Sequence, residues 1–153
     1  MNALGVDGHW LHVSSVDPRA RALQRRHYSA WKNPHPRSQR FVGPGEVMVL
    51  LPVTCDALFV WRMSRYRLDG QEGVECTVFR NESEILSSEL IREADELAWS
   101  RWPGLRHFTY VDPSRIRSVN PGACFKAAGW RRCGVSGRGF HLLERRMTGN
   151  ANA

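Results

Sequence analysis

The chain has no apolar run approaching the ~20 residues that a membrane-spanning helix needs, so no such helix is expected. Its first 15 residues lack a basic stretch followed by an apolar block, and no signal peptide is expected there. Cysteine is scarce and poorly spaced for shared chemistry. Cys55, Cys76, Cys124 and Cys133 stand 21, 48 and 9 positions apart, with no CxxC pair. That argues against a zinc site or a disulfide framework and for free, buried thiols in a reducing cytosol. No internal repeat and no low-complexity segment interrupts the chain. Acidic residues are also few: 15 Asp and Glu face 22 Lys and Arg, for a net charge of +7.

What is present fits one folded unit. At 153 residues, 42% of them hydrophobic and six of them Trp, the chain is long enough to bury a core. Residues 1–147 are expected to form a single domain and residues 148–153 a disordered tail. The positive charge is unevenly placed. Residues 1–40 carry seven basic against two acidic groups, residues 71–100 two against eight, and residues 101–146 ten against two. Basic ends around an acidic centre suggest a polyanion on one face, with nucleic acid the leading candidate and a merely solvated basic surface the alternative.

The residue pattern is mixed. Asp17-Pro18 is a helix start, and a helix is expected over 18–28 with Ala22, Leu23 and Arg26 on related faces. Residues 31–41 read as a loop. Apolar runs at 47–53 and 57–63 read as buried strands, and 74–79 alternates as a strand. Leu86, Leu90, Ile91, Ala94, Leu97 and Ala98 fall at helical spacing after Ser87-Ser88. A short strand is expected over 107–111, then a helix started by Asn120-Pro121 and stopped by Gly129. Strands at 130–135 and 140–144 flank Gly137-Arg138-Gly139, a hairpin signal. The order implies an α/β fold: one mixed central sheet, helices on both faces and a C-terminal β-hairpin. The polar loop Phe79-Arg80-Asn81-Glu82-Ser83, leading from a strand into a helix N-terminus, is the natural place for an anion.

Thr109-Tyr110-Val111-Asp112-Pro113, followed by Ala127-Ala128-Gly129-Trp130 and a final hairpin, resembles the second half of the GNAT acyltransferase fold over about residues 45–145. Two features depart from that family. Its members carry a glycine-rich pyrophosphate loop after the central strand, whereas Arg80-Asn81-Glu82-Ser83-Glu84-Ile85 has no glycine. The family's Tyr, general acid for a leaving thiolate, is replaced by Phe125. A narrower resemblance accommodates both. His27-Tyr28-Ser29, the Arg80-Asn81 loop, Ser87-Ser88-Glu89-Leu90-Ile91, the 109–113 segment and residues 127–130 resemble the Mom-type DNA modification proteins of bacteriophages, a divergent GNAT-like group. That resemblance implies a DNA-modifying transferase that alters the exocyclic N6 amine of adenine and protects phage DNA from restriction in the bacterial cytoplasm. It leaves acetyl-CoA or another acyl donor, and iron, as cofactor candidates. No metal-ligand set is evident in the sequence.

Roles follow for individual residues. His27 can move a proton and Tyr28 can stack on a flipped base; the alternative is a capping His and a packing Tyr. Arg80 and Asn81 can clamp a phosphate or orient the donor, or simply form a turn. Ser83, Ser87 and Ser88 can bind a donor phosphate, or cap the helix. Tyr110 and Asp112 end a strand where open α/β sheets place ligands, and Asp112 is the expected general base, or else the carboxylate of an Asp-Pro turn. Cys124 is a lesser catalytic candidate. DNA contact is expected from Trp31, Lys32, Arg37 and Arg40, and from Arg131, Arg132 and Arg138 in the final hairpin; the alternative for Trp31 is ordinary packing. Two other functions compete. One is a GNAT N-acyltransferase using acetyl-CoA on a small amine or protein. The other is a non-catalytic nucleic-acid-binding module.

Overall fold

β-Branched, aromatic and aliphatic residues dominate the stretch from residue 46 to residue 81, and they build three consecutive antiparallel strands. The computed structural model describes residues 8–27, 45–115 and 120–147. Within them run β1 (Trp10–Val13), α1 (Pro18–Arg25), β2 (Glu46–Pro52), β3 (Ala57–Met63), β4 (Val74–Asn81), α2 (Ser87–Arg101), β5 (His107–Val111), α3 (Ala123–Ala127), β6 (Arg131–Val135) and β7 (His141–Arg145). The seven strands form one sheet in the order β1-β2-β3-β4-β5-β7-β6. All neighbours are antiparallel except β4 and β5, which are parallel. The mixed α/β architecture read from the sequence is therefore the one the chain adopts.

Helices cover both faces. On one side α1 lays Ala20 and Leu23 against Val49, Leu51, Leu58, Val60 and Val78. On the other, Leu90, Ile91, Ala94 and Ala98 of α2 and Phe125 of α3 pack on Leu50, Phe59, Trp61, Val74 and Leu143. Each such fully buried large side chain contributes about 1.5–3 kcal/mol of transfer free energy. No helix among the described residues is long and apolar enough to cross a membrane.

Local expectations are corrected at four places. β1 lies in a stretch whose pattern is weak, yet Trp10 is fully buried and its indole N–H donates to the Leu90 carbonyl at 2.8 Å. The Glu93 carboxylate accepts from the backbone of both His9 and Trp10. Helix α1 does start at Asp17, whose side chain accepts from the N–H groups of Arg19 and Ala20. Its buried face, however, is Ala20, Leu23 and Gln24 rather than Ala22, Leu23 and Arg26, and it ends at Arg25. Helix α3 is one turn of five residues, capped by Gly122 and not by Asn120. Gly122 has φ 78°, and a Cβ there would meet Leu143 Cδ1 at 2.4 Å, so a side chain at this position is strained and must displace Leu143. The four cysteines are free, but only Cys76 is buried; Cys133 is exposed.

Candidate functional site

Strands β4 and β5 start together and then part. Their register covers only Val74 opposite His107 and Glu75 opposite Phe108. The start is tight: the Val74 N–H donates to the Arg106 carbonyl at 2.8 Å, and a Cβ on Gly73 would lie 2.1 Å from that oxygen. One residue later, β4 carries an extra residue against β3. Trp61 opposes Cys76 and Val60 opposes Val78, which leaves Thr77 bulged. A bulge bends its strand and raises the local twist, here at the point of separation. The Thr109 hydroxyl donates to the Cys76 carbonyl at 2.8 Å, a side chain standing in for the missing ladder bond.

Beyond that tie the gap is a cavity of about 720 Å³. Its walls are residues 75–79 of β4, residues 109–111 of β5, the start of α3 with Cys124 and Phe125, and the hairpin turn from Ser136 to Phe140, with His27 and Asp69 completing it. The turn is the expected Gly-Arg-Gly hairpin, closed by the Ser136 N–H on the Phe140 carbonyl at 2.9 Å. Ligand sites of open α/β sheets lie at the C-terminal ends of parallel strands, and this cavity has that position.

Its polar groups gather on the sheet face opposite α2. Tyr110 donates its hydroxyl to Asp69 Oδ2 at 2.9 Å. Burial and this bond push the phenol up to about 12. Arg67 holds Asp69 by two bonds, Nε to Oδ1 at 2.9 Å and Nη2 to Oδ2 at 2.6 Å, and keeps its carboxyl well below the usual range. Arg67 Nη1 lies 2.7 Å from Glu75 Oε1. That contact is an ion pair whose angles fall short of a hydrogen bond, since Nη1 has no hydrogen-bond partner. At the end of α1, burial and the nearby Arg80 charge lower His27 to about 4, against a hydrogen bond with the Phe79 backbone. His27 is therefore neutral at pH 7. Burial raises the Cys124 thiol, so it stays protonated.

Only part of the expected site assembles here. His27 and Tyr110 line the cavity, as do Cys124 and Arg138. Asp112 is not among the lining residues. Its Oδ1 accepts from the backbone and hydroxyl of Ser114 at 3.0 and 2.6 Å, and Arg115 Nε lies 3.6 Å from Oδ2. The carboxylate thus shapes the turn after β5. The loop residues are also occupied elsewhere. Asn81 donates to the Ile85 carbonyl and the Ser87 hydroxyl, and its Oδ1 accepts from the N–H and hydroxyl of Ser83. The Ser83 hydroxyl oxygen accepts from the Ile85 N–H. Arg80 donates to Glu82 and to the Arg26 carbonyl. Ser88 is buried, and α2 is capped by Leu86 with no side-chain cap bond.

The Ser83 and Ile85 N–H groups of this loop are thus already paired, and without glycine the loop does not bring its other amides close in the way of the usual CoA cradle. Iron finds no better fit: among the described residues no group of three or more His, Cys, Asp and Glu stands together to hold a metal. Arg131 and Arg132 are exposed on β6, an edge strand. Arg131 pairs with Glu144, which also accepts from Arg106 Nε at 2.6 Å. Burial raises the Glu144 carboxyl, but these arginines outweigh it and hold it low. Tyr28, Trp31, Lys32, Arg37 and Arg40 lie outside the described residues, as does the tail from residue 148.

Sequence reasoning passed over Asp69, Glu75 and Thr77. Glu75 carried a signal, an acid inside an otherwise apolar strand. Asp69 looked like any Asp-Gly turn, and nothing marked Thr77 as a bulge. In comparisons with known proteins, no family model, no curated protein and no solved structure matches the chain.

Proposed function

We propose that the chain is a transferase of GNAT-like fold that modifies the exocyclic N6 amine of adenine in DNA, as Mom-type phage proteins do. The observation that carries this reading is the cavity opened by the parting of β4 and β5. It lies at the C-terminal ends of the only parallel strand pair among the described residues. The strand order, the helix that follows β4 and the closing hairpin support the GNAT-like part of the reading. A volume of about 720 Å³ accommodates a planar base together with the transferred group, and Phe79, Tyr110, Phe125 and Phe140 offer aromatic walls. Arg138 in the cavity wall and the exposed Arg131 and Arg132 of β6 supply charge for a phosphate backbone. The self-bonded loop after β4 favours a donor other than one held by its pyrophosphate there. The chain's own part is to accept the flipped base, exclude water and receive the proton that the amine loses.

Mass spectrometry of nucleosides from a host expressing the protein tests the reading. The expected result is a new, heavier adenine nucleoside. An unchanged adenine profile from soluble protein supplied with its donor overturns it. Acetyl-CoA turnover on a small amine or protein would point instead to an ordinary N-acyltransferase. Salt-sensitive DNA binding with unmodified nucleosides would leave only a binding module.

A further inference from the structure

Glu75 is a carboxylate short of hydrogen bonds. Its side chain is 14% exposed, and its close polar neighbours are cations: Arg67 Nη1 at 2.7 Å, with ion-pair but not hydrogen-bond geometry, and Arg62 Nη2 at 3.6 Å. A carboxylate taken out of water needs donors on its lone pairs as well as a counter-charge. Across the split stands Tyr110. Its proton is committed to Asp69, so its phenolic oxygen is left as an acceptor. The register places both on one face. Glu75 pairs with Phe108, and Tyr110 follows Phe108 by two positions, with their rings edge-on at 6.2 Å. Both residues line the cavity.

We infer that Glu75 and Tyr110 form the amine-reading subsite, in which a neutral exocyclic –NH₂ of a nucleobase bridges the β4–β5 split and donates one N–H to each. This rests on the transferase reading above and names the residues that select its substrate. The charge balance chooses the neutral amine over an ammonium. The negative charges of Asp69 and Glu75 are matched by Arg67 and Arg62, so the subsite offers acceptor atoms without net attraction for a cation. Phe79 and Phe140 in the same cavity supply the flat surfaces a base ring needs.

The test is equilibrium binding, by fluorescence anisotropy, of the full chain to short oligothymidylates. One strand carries a single central adenine. The other carries purine there, which lacks the amine, and thymine itself has no exocyclic amine. The unmodified protein is expected to prefer the adenine strand about tenfold, the size of two modest hydrogen bonds. Tyr110→Phe, and Glu75→Met, which offers no acceptor, should each reduce that preference to about threefold, the share of the one bond that remains. Tyr110→Phe keeps the ring, and the Arg67–Asp69 pair remains, so its folding should be intact by thermal melting. Equal preference in the unmodified protein and both variants overturns the subsite. A protein that makes modified adenine but shows no preference for the amine loses the subsite and keeps the transferase reading. One that shows the preference, reduced in the variants, but makes no modified nucleoside keeps the subsite and loses the transferase reading.

Discussion

Asp112 terminates β5, and its surroundings decide between the two roles open to it. A general base needs a path to the proton it removes. This carboxylate faces Ser114 and Arg115 and is absent from the cavity wall. Replacing it with alanine removes the acceptor for the Ser114 N–H and leaves a buried site without its polar partner. Asp112→Ala is expected to lower stability by about 1–2 kcal/mol, read as a shifted urea midpoint, and to leave the adenine product intact in the nucleoside assay. Loss of product at unchanged stability would return the catalytic role to Asp112. The contrast with Glu75 is instructive. Both are acids at strand positions, but one has its lone pairs filled by its own turn and the other does not.

The loop between β4 and α2 shows the same economy at the level of an element. Without glycine it cannot turn its backbone amides outward cheaply, and Asn81 instead ties residues 81–87 into a closed set of bonds. Asn81→Ala removes four of these and is expected to cost about 2 kcal/mol. Urea denaturation should show it as a lower midpoint with an unchanged slope, and an unshifted midpoint would mean that the loop is not held this way. Periodicity made most elements legible. The strands at 57–63 and 107–111 and the helix opening at Ser87 stand where the pattern put them. β1 was hidden because an edge strand of four residues is fixed by Glu93 and Leu90, some 80 positions away, and not by its own pattern. The cavity was half legible. Its place at the end of β4 and β5 followed from element order, and Tyr110 and His27 were expected there. The bulge at Thr77 and the Arg67–Asp69–Tyr110 set depend on register and on a loop reaching across the sheet, which no local window contains.

At the scale of the whole molecule, a net charge of +7 is tolerated because many of the arginines are paired. Arg26 and Arg80 share Glu82, and Arg106, Arg131 and Arg146 surround Glu144. This ties stability to pH in a definite direction. The arginine contacts lower Asp17 and Glu82 from 3.8 and 4.5 to about 2 in the folded chain. Their contribution is complete above the unfolded values and is lost as pH falls from there towards 2. Histidine acts in a higher window with the same sign. His27 falls from 6.5 to about 4, and His107, buried against Trp61 and Trp99, is also lowered despite its 2.7 Å bond to Asp95. The unfolded chain takes up these protons first, so the folded state weakens between pH 6.5 and 4. Urea midpoints measured across pH should therefore be flat above about 7, fall through the histidine window and fall further below pH 4.5. His27→Gln should shrink the upper drop and leave the lower one in place, because the carboxylates act independently of it. A midpoint that held level from pH 7 to 5 in the unmodified protein would show that these imidazoles are not buried as neutral groups, and with them would go the picture of His27 as an uncharged wall of the cavity.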